Sequence, residues 1–254
     1  MGLSRRNFLK VLGISGTVLA FGKEATSSTT SDKAVNFRGM LYDSSRCIGC
    51  RGCEYDCADA HGLPLPEAGQ DIPKIRSTSE TKRTVVNEYQ TSKGTVYVKV
   101  QCMHCSDPAC VAACLTNAMH KTKAGPVIWD GDKCMGCRYC MVSCPFNIPK
   151  FEYHSPNPKI EKCDMCFDRL KEGEMPACAF NCPKEALFYG SRRELIREAR
   201  KRIVENPGLY VDYIYGEDEA GGTCWLYLSP VDFKELGMKT DLHKIGRASC
   251  RERV

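Results

Sequence analysis

The segment from Cys134 to Pro145 contains four closely spaced cysteines, the side chains in this sequence best suited to chemistry. Their pattern, C-x2-C-x2-C-x3-C-P, is a spacing at which thiolates hold iron–sulfur clusters. Thiolates are soft ligands that select iron–sulfur clusters, zinc or copper(I). The tight packing of cysteines around Gly136 and the proline after the fourth cysteine favour a [4Fe–4S] cluster over a zinc site.

The cysteine pattern occurs four times along the sequence. Motif one has the same spacing, motif two has four residues before its third cysteine, and motif four has eleven residues at that place. Sixteen of the eighteen cysteines are used, which excludes an accidental match. The motifs consist of Cys47, Cys50, Cys53 and Cys57 (motif one), Cys102, Cys105, Cys110 and Cys114 (motif two), Cys134, Cys137, Cys140 and Cys144 (motif three), and Cys163, Cys166, Cys178 and Cys182 (motif four).

The N-terminus has the features of an export signal. Ser4-Arg5-Arg6-Asn7-Phe8-Leu9-Lys10 is a twin-arginine sequence, and the apolar run after it, to Gly22, is shorter than the ~20 residues that a membrane span needs. Because clusters are inserted in the cytosol, such a protein must cross the membrane already folded, and the twin-arginine pathway carries folded proteins. We predict a signal peptide at 1–22 and a polar linker at 23–37.

Eighteen cysteines in an exported protein would ordinarily indicate disulfides. Cysteines two residues apart rarely reach disulfide geometry with each other, whereas they suit one shared inorganic centre. Cys224 lies outside every motif and is expected to be a packed thiol. His104 lies between two cysteines of motif two, and with every ligand position filled by thiolate we expect it beside a cluster or at the surface. Arg138 either withdraws electron density from a cluster or is solvated.

The net charge of +5 gives no argument for nucleic-acid binding. Removing the three basic residues of 1–22, and the three basic and one acidic residue of 245–254, leaves 30 residues of each sign. The sequence also contains no nucleophile–base constellation, no phosphate-binding loop and no mononuclear metal motif. A small-molecule substrate of its own is therefore not expected.

Short strands and one longer helix must position the cysteine loops. The segment 61–83 carries three prolines and is predicted to be a surface insertion. Ser191 and Glu194 have capping-box spacing for a helix through Ile203. The expected strands are 39–43, a hairpin of 84–86 with 95–100, 126–129, 186–189, 210–215 and 225–228.

Residues 38–240 resemble the four-cluster electron-transfer subunits of the dimethyl-sulfoxide-reductase and formate-dehydrogenase type. The stretches that carry the resemblance are Gly39–Ser44, Gln101–Cys105, Cys137–Val142 and Gly216–Thr223, the last of which favours the iron–sulfur subunit of the membrane-bound hydrogenase-2 type. The resemblance implies an α+β fold with two tandem ferredoxin-like dicluster (βαββαβ-like) halves. We expect this four-cluster domain at 38–190, with a helix and strand segment at 191–244.

The family resemblance also implies a ligand pairing, since the fourth cysteine of a ferredoxin motif serves the other cluster of its pair. Motif one then pairs with motif four, and motif two with motif three. Ala58 and Leu115 stand where ferredoxins place proline after the fourth ligand, which puts loop stiffness in doubt but not ligation. The implied sets are Cys47, Cys50, Cys53 with Cys182; Cys163, Cys166, Cys178 with Cys57; Cys102, Cys105, Cys110 with Cys144; and Cys134, Cys137, Cys140 with Cys114.

The resulting hypothesis is a non-catalytic subunit with four [4Fe–4S] clusters on the periplasmic side of the cytoplasmic membrane. It would relay electrons between a catalytic subunit, a [NiFe] hydrogenase, and an integral membrane partner that reduces quinone. One alternative is service to a molybdenum or tungsten oxidoreductase such as formate dehydrogenase. An alternative from another class is a structural zinc protein, which would be colourless.

The final ten residues, 245–254, resemble a translated sequencing adapter. Family members continue past this point into a hydrophobic helix. We therefore expect a membrane anchor encoded beyond Lys244 in the intact gene, and we attach no role to Cys250.

Overall fold

The computed structural model describes residues 37–67, 69 and 72–242. The predicted signal peptide, the linker except Phe37, and the adapter-like tail lie outside this part of the protein. Within it the helices are α1 (Gly52–Ala60), α2 (Ala109–Ala112), α3 (Tyr139–Val142), α4 (Phe167–Lys171), α5 (Ala177–Phe180) and α6 (Arg192–Glu205). The strands are β1 (Arg38–Asp43), β2 (Val85–Thr91), β3 (Gly94–Val100), β4 (Met119–Lys121), β5 (Val127–Trp129), β6 (Lys150–Phe151), β7 (Ile160–Glu161), β8 (Leu187–Ser191) and β9 (Trp225–Leu228).

Strand β1 is the middle strand of a three-stranded sheet. It pairs antiparallel with β8 and parallel with β9. Successive side chains of a strand point to opposite faces. Accordingly Leu41 packs with Leu195 and Ala199 of α6, whereas Met40 and Tyr42 belong to the larger core on the other face. The sheet thus separates helix α6 from the core that adjoins the cysteine loops.

Helix α6 begins where its sequence predicts. The Ser191 side chain accepts from the Glu194 backbone N–H, and the Glu194 carboxylate accepts from the Ser191 backbone, so both halves of the capping box are present. Leu195 and Ala199 are buried on one face. The helix continues to Glu205, beyond the expected Ile203.

The remaining sheets are two-stranded. Strands β2 and β3 form the predicted hairpin, which is longer than the sequence indicated because Val85–Thr91 pairs in register with Gly94–Val100. Strand β4 pairs with β5, and β6 with β7. The short strands expected at 39–43, 126–129, 186–189 and 225–228 are present within one or two residues.

The prediction of a strand at 210–215 is wrong. Tyr215 makes an isolated bridge to Tyr227, and Val211 N–H donates to the Ser229 carbonyl. Between these points Tyr213 N–H donates to the Val211 carbonyl, so the backbone turns locally instead of continuing the ladder.

The insertion at 61–83 contains no helix or strand among its described residues, as its composition predicts. It is nevertheless tied inward rather than lying wholly on the surface. Arg76 reaches the buried carboxylate of Glu54, and Arg83 pairs with Glu161 and Asp164.

Helices and strands are mixed along the sequence, which agrees with an α+β fold. Helix α1, from motif one, packs against α5, from motif four, and α2 packs against α3, from motifs two and three. Motifs that are distant in sequence thus come together in the fold. No helix in 37–67, 69 or 72–242 is long and apolar enough to cross a membrane.

Candidate functional site

The four cysteine loops share one backbone feature. In each motif the residue just before the second cysteine has a positive φ, and only two of these residues are glycine. Left-handed residues inside a loop turn successive backbone N–H groups toward one concavity, which suits an anionic cluster. These residues are Gly49 (70°), His104 (48°), Gly136 (72°) and Met165 (61°).

The third cysteine has the same position in all four motifs. It is the second residue of a helix, so it lies at the positive end of the helix dipole, where a thiolate is favoured. The helices concerned are α1, α2, α3 and α5, and the cysteines are Cys53, Cys110, Cys140 and Cys178.

Backbone N–H groups also approach three of the motif sulfurs. The N–H of Met119 lies 3.2 Å from the Sγ of Cys114, and the N–H of Ala186 lies 3.3 Å from the Sγ of Cys182. The Met165 N–H lies 3.4 Å from Cys163 Sγ. Hydrogen bonds of this kind favour the thiolate form and tune the potential of a bound cluster.

Motif one differs from the ferredoxin pattern after its fourth cysteine. With Ala58 rather than proline after Cys57, helix α1 continues to Ala60. The His61 Nδ1 atom then lies 2.8 Å from the Cys57 carbonyl oxygen, and its Nε2 lies 3.0 Å from Asp164 of motif four. The missing proline is therefore replaced by a side-chain link from motif one to motif four.

Electrostatic neighbours show which thiols lie near one another. Burial, with smaller contributions from the negative charges of Cys134, Cys114 and Cys137, raises the pKa of Cys140 to about 11. Three cysteines of motif three and the fourth of motif two are thus neighbours, and we call this set site A.

A second set combines motif two with the last cysteine of motif three. Burial raises the pKa of the Cys105 thiol, and the charges of Cys102, Cys110 and Cys144 add to the increase. Lys121 opposes it because its ammonium favours the thiolate. These four cysteines form site B.

The other two sets exchange cysteines between motifs one and four. Burial, opposed by Lys99 and reinforced by the charges of Cys166 and Cys57, raises the pKa of Cys178 to about 12. Burial and then Cys57 raise the pKa of Cys163. We call these four cysteines site C.

Site D contains Cys47, Cys50, Cys53 and Cys182. Burial raises the pKa of Cys47, and Cys50 and Cys182 contribute to the increase. Burial raises the pKa of Cys53 well above its ordinary value, and the charge of Cys47 contributes to the increase.

Cysteines of different sets also act on one another, which links the sets as A with B, B with C and C with D. Cys140 of site A acts on Cys110 of site B, and Cys102 of site B acts on Cys163 of site C. Cys178 of site C acts on Cys53 of site D. Each site therefore neighbours the next.

Exposure distinguishes the ends of this series. Cys137 of site A and Cys50 of site D are exposed, whereas the other fourteen motif cysteines are buried or half-buried. Both exposed thiols are the second cysteine of their motif, on a loop that turns at a glycine. Sites A and D are therefore the two sets with a solvent-exposed thiol.

The donor set fits [4Fe–4S] clusters. All seventeen cysteines in the described residues are free thiols, and sixteen of them belong to the four motifs. Buried thiols with raised pKa values are neutral unless a metal takes the proton's place, so thiolate formation accompanies cluster binding. Cys224 is fully buried, with its Sγ 3.8 Å from the Gly125 carbonyl oxygen, which confirms the prediction of a packed thiol.

His104 is buried rather than at the surface. Its Nδ1 accepts from the Val127 N–H at 2.8 Å, so the proton is on Nε2, which leaves that atom without a lone pair for iron. Burial lowers the pKa of His104 well below its ordinary value, so the ring is neutral. The buried Nε2–H has no partner among the described residues, a donor that suits a cluster sulfur.

Arg138 is exposed, and its guanidinium carbon lies 5.4 Å from the ring centroid of Phe151 and 5.8 Å from that of Tyr153. Of the two roles that the sequence left open, this position agrees with the solvated one.

Two features near the sites have no motif in the sequence. Glu54, beside Cys53, is buried and accepts hydrogen bonds from Arg76, Arg51 and the Val86 N–H. Lys99 is buried, although the alternation of side chains along β3 places it on the face opposite to the buried Val96 and Val98.

The group of His61, Asp164 and Cys166 has its donor atoms within 4.8 Å of one another. Cys166 already belongs to site C, and Asp164 is paired with both His61 and Arg83. These contacts describe an ion-pair network beside site C rather than a separate metal site.

Comparison with known proteins agrees with the site geometry. Residues 94–192 match the 4Fe-4S dicluster domain family. A protein of Nitratidesulfovibrio vulgaris is 46% identical over 251 residues, which cover 94% of this sequence and 68% of that protein. Hydrogenase-2 operon protein HybA of Escherichia coli O157:H7 is 34% identical over 278 residues, covering 93% of this sequence and 84% of HybA. The B subunit of the anaerobic dimethyl sulfoxide reductase of Escherichia coli K12 is 38% identical over 157 residues, covering 62% of this sequence and 75% of that subunit.

Together the cysteine sites and the dicluster match define the class: this is an iron–sulfur protein with four [4Fe–4S] clusters. More particularly, the protein belongs to the family of iron–sulfur electron-transfer subunits that includes HybA and the dimethyl sulfoxide reductase B subunit.

Proposed function

We propose that this protein relays electrons in series through clusters bound at sites A, B, C and D. The observation that carries the proposal is the linear order of four thiol sets, with an exposed cysteine only at the two terminal sites. A bound cluster supplies one-electron chemistry. The protein holds each cluster, excludes water from the middle of the series and leaves both ends accessible.

The sixteen motif cysteines are proposed as the ligands. Each site then takes three cysteines from one motif and the fourth from its partner motif. Site A comprises Cys134, Cys137, Cys140 and Cys114; site B comprises Cys102, Cys105, Cys110 and Cys144; site C comprises Cys163, Cys166, Cys178 and Cys57; site D comprises Cys47, Cys50, Cys53 and Cys182.

The same pairing supports two ferredoxin-like dicluster halves within 38–190. One half is built from motifs two and three, which are neighbours in sequence, and the other from motifs one and four, which flank it. The packing of α2 on α3 and of α1 on α5 supports this division. The segment 191–244 would then act as a cover, since α6 packs on the sheet that β1 shares with β8 and β9.

The subunit is proposed to be non-catalytic. Four thiolate ligands per cluster leave no open iron position for a substrate, so substrate chemistry must occur on another subunit. A structural zinc protein is not supported, because the family matched is a 4Fe-4S family.

The proposed partners are a catalytic subunit and an integral membrane subunit that reduces quinone. A [NiFe] hydrogenase is favoured because the match to hydrogenase-2 operon protein HybA covers 93% of this sequence, whereas the match to the dimethyl sulfoxide reductase B subunit covers 62%. A molybdenum or tungsten oxidoreductase, such as formate dehydrogenase, is the alternative.

The proposed location is the periplasmic side of the cytoplasmic membrane, reached by the twin-arginine pathway. Replacing Arg5 and Arg6 with Lys should leave folded, cluster-bearing protein in the cytoplasm, as measured by fractionation. Continued export of the variant would contradict this route.

The relay is tested by interrupting it at an internal site. In the assembled complex, Cys110→Ser at site B should abolish hydrogen-dependent reduction of a quinone analogue. Hydrogen-dependent reduction of a dye by the catalytic subunit should remain, because the interruption lies downstream. Cys224→Ser is the matched control and should retain both activities. Unchanged quinone reduction in Cys110→Ser would overturn the relay.

A further inference from the structure

Lys99 is a buried cation without a carboxylate partner. Its residue is 1% exposed, on the hairpin strand β3. The Nζ atom donates to Thr84 Oγ1 at 2.5 Å and to Gln101 Oε1 at 3.3 Å, and it lies 5.0 Å from the ring centroid of Trp225. Across the described residues, no Asp or Glu oxygen lies within ion-pairing distance of this ammonium.

A buried ammonium without an opposite charge is costly and ordinarily loses its proton. Val86, the register partner of Lys99 on β2, donates its N–H to the Glu54 carboxylate beside Cys53, so this part of the hairpin lies against α1. Trp225, whose ring centroid is 5.0 Å from the Lys99 Nζ, packs in the same core as Cys178. Burial acts to lower the pKa of Lys99, but the charges of Cys178, Cys53, Cys163 and Cys57 outweigh it and raise the pKa. Clusters bound at sites C and D would therefore supply the opposite charge for Lys99.

The surroundings explain why Lys99 faces this way. Its strand neighbour Tyr97 lies against the motif-one loop, where a Cβ on Gly49 would come within 2.3 Å of the Tyr97 ring. Side chains at alternate positions of a strand share a face, so Tyr97 and Lys99 both face the cysteine loops. This face of β3 carries polar residues because it meets the anionic cysteine sites, not because it meets solvent.

We propose that Lys99 is the shared counter-cation of the clusters at sites C and D and raises the reduction potentials of both. This inference rests on the ligand sets proposed above. Reduction adds one negative charge to a cluster, and a nearby buried cation stabilises the reduced form more than the oxidised form. Lys99 is thus a positioning residue for electron transfer and does not itself react.

Sites A and B provide an internal comparison. Other ammonium groups act on site B, Lys121 on Cys105 and Lys162 on Cys110. Removing the charge of Lys99 should therefore affect the clusters at C and D and leave those at A and B unchanged.

The test is an EPR-monitored redox titration of the full-length, cluster-loaded protein, with signals first assigned to sites by single Cys→Ser variants. Lys99→Met and Lys99→Gln remove the charge, and Gln retains a donor toward Thr84. Either variant should lower the reduction equilibrium constants of the clusters at both C and D at least tenfold, a downward shift of about 59 mV for one electron at each. Lys99→Arg, which keeps the charge, and the exposed control Lys93→Met should stay within twofold of the original protein.

Full iron content with unshifted potentials at C and D would overturn the proposal, as would an equal shift at all four sites. Loss of iron from the neutral variants but not from Lys99→Arg would support a need for the charge. Loss of iron from all three variants would assign Lys99 a packing role and overturn the proposal. Failure of the unaltered protein to bind four clusters would instead contradict the proposed ligand sets.

Discussion

At the residue scale, the buried carboxylate of Glu54 joins three parts of the molecule. Glu54 lies on α1, and its carboxylate accepts hydrogen bonds from both Nη atoms of Arg76, which belongs to the insertion. It also accepts a hydrogen bond of 2.6 Å from the backbone N–H of Val86 in the hairpin. Arg51 donates to the same carboxylate at 3.1 Å. Burial acts to raise the pKa of Glu54, but the hydrogen bonds of Arg76, Arg51 and Val86 outweigh it and lower the pKa.

Removing one partner of this buried pair should destabilise the fold. Arg76→Met removes an ion-pair partner of the buried Glu54 carboxylate and leaves its charge less well balanced. We expect a loss of about 3 kcal/mol in the free energy of unfolding. Chemical denaturation, monitored by the loss of visible cluster absorption, measures it. The matched control is Lys74→Met, whose ion pair with Glu88 is exposed to solvent and should contribute much less to stability. Equal stability of the Arg76 and Lys74 variants would contradict the prediction.

Single cysteine changes test the proposed ligand sets. Cys140→Ser should damage the cluster at site A, and Cys144→Ser the cluster at site B, although the two residues are only four positions apart. The physical reason is that Cys140 neighbours Cys134, Cys114 and Cys137, whereas Cys144 acts on Cys105. EPR spectra that lose the same cluster in both variants would refute the sets. Cys224→Ser should leave every cluster intact.

At the scale of elements, β1 contains a glycine, Gly39, whose surroundings leave no room for a side chain. A Cβ on Gly39 would lie 2.4 Å from the Cys224 carbonyl oxygen, which accepts the Met40 N–H at 2.8 Å. Close approach of β1 to the segment entering β9 therefore requires glycine. Its register partner on β8, Gly190, meets only ordinary side-chain contacts, the nearest at 3.5 Å from Leu195.

This contrast predicts different outcomes for two glycine substitutions in one sheet. Gly39→Ala should lower the free energy of unfolding by about 2–3 kcal/mol, because backbone must move to admit the methyl group. Gly190→Ala should change it by less than ~1 kcal/mol. Denaturant titration of both variants measures the difference. A Gly39→Ala protein as stable as the original would show that β9 can shift without cost.

At the scale of the whole molecule, sequence order and spatial order differ. The polypeptide passes through motifs one, two, three and four, whereas the proposed relay runs through the sites in the order D, C, B, A. Motif four lies beside motif one because its helix α5 packs on α1 and the following strand β8 pairs with β1. The two exposed cysteines, Cys50 and Cys137, belong to the two end sites of the proposed relay.

Cofactor content follows from the number of complete sites. Four cubane clusters correspond to roughly sixteen iron and sixteen sulfide per polypeptide. Anaerobically reconstituted protein should reach these values by iron and acid-labile sulfide analysis, and the Cys224→Ser control should match it. An iron content of about eight per polypeptide would mean that one pair of sites stays empty, contrary to a four-cluster protein.

Local rules in the sequence determined the cofactor, the sixteen candidate ligands and the helix that starts at Ser191. Ligand spacing and a capping box involve residues a few positions apart, so they can be recognised without the fold. The hairpin that contains β3 was predictable for the same reason, since alternation and a short turn are also local.

Tertiary structure decided the features that depend on residues far apart in the sequence. Alternation placed Lys99 away from the buried valines of β3, but only the fold showed that the second face also meets the cysteine loops. The same holds for Glu54, whose partners come from the insertion and the hairpin, and for His104, which is buried against β5. Burial depends on what packs against a face, and that packing is not encoded in the spacing of neighbouring residues.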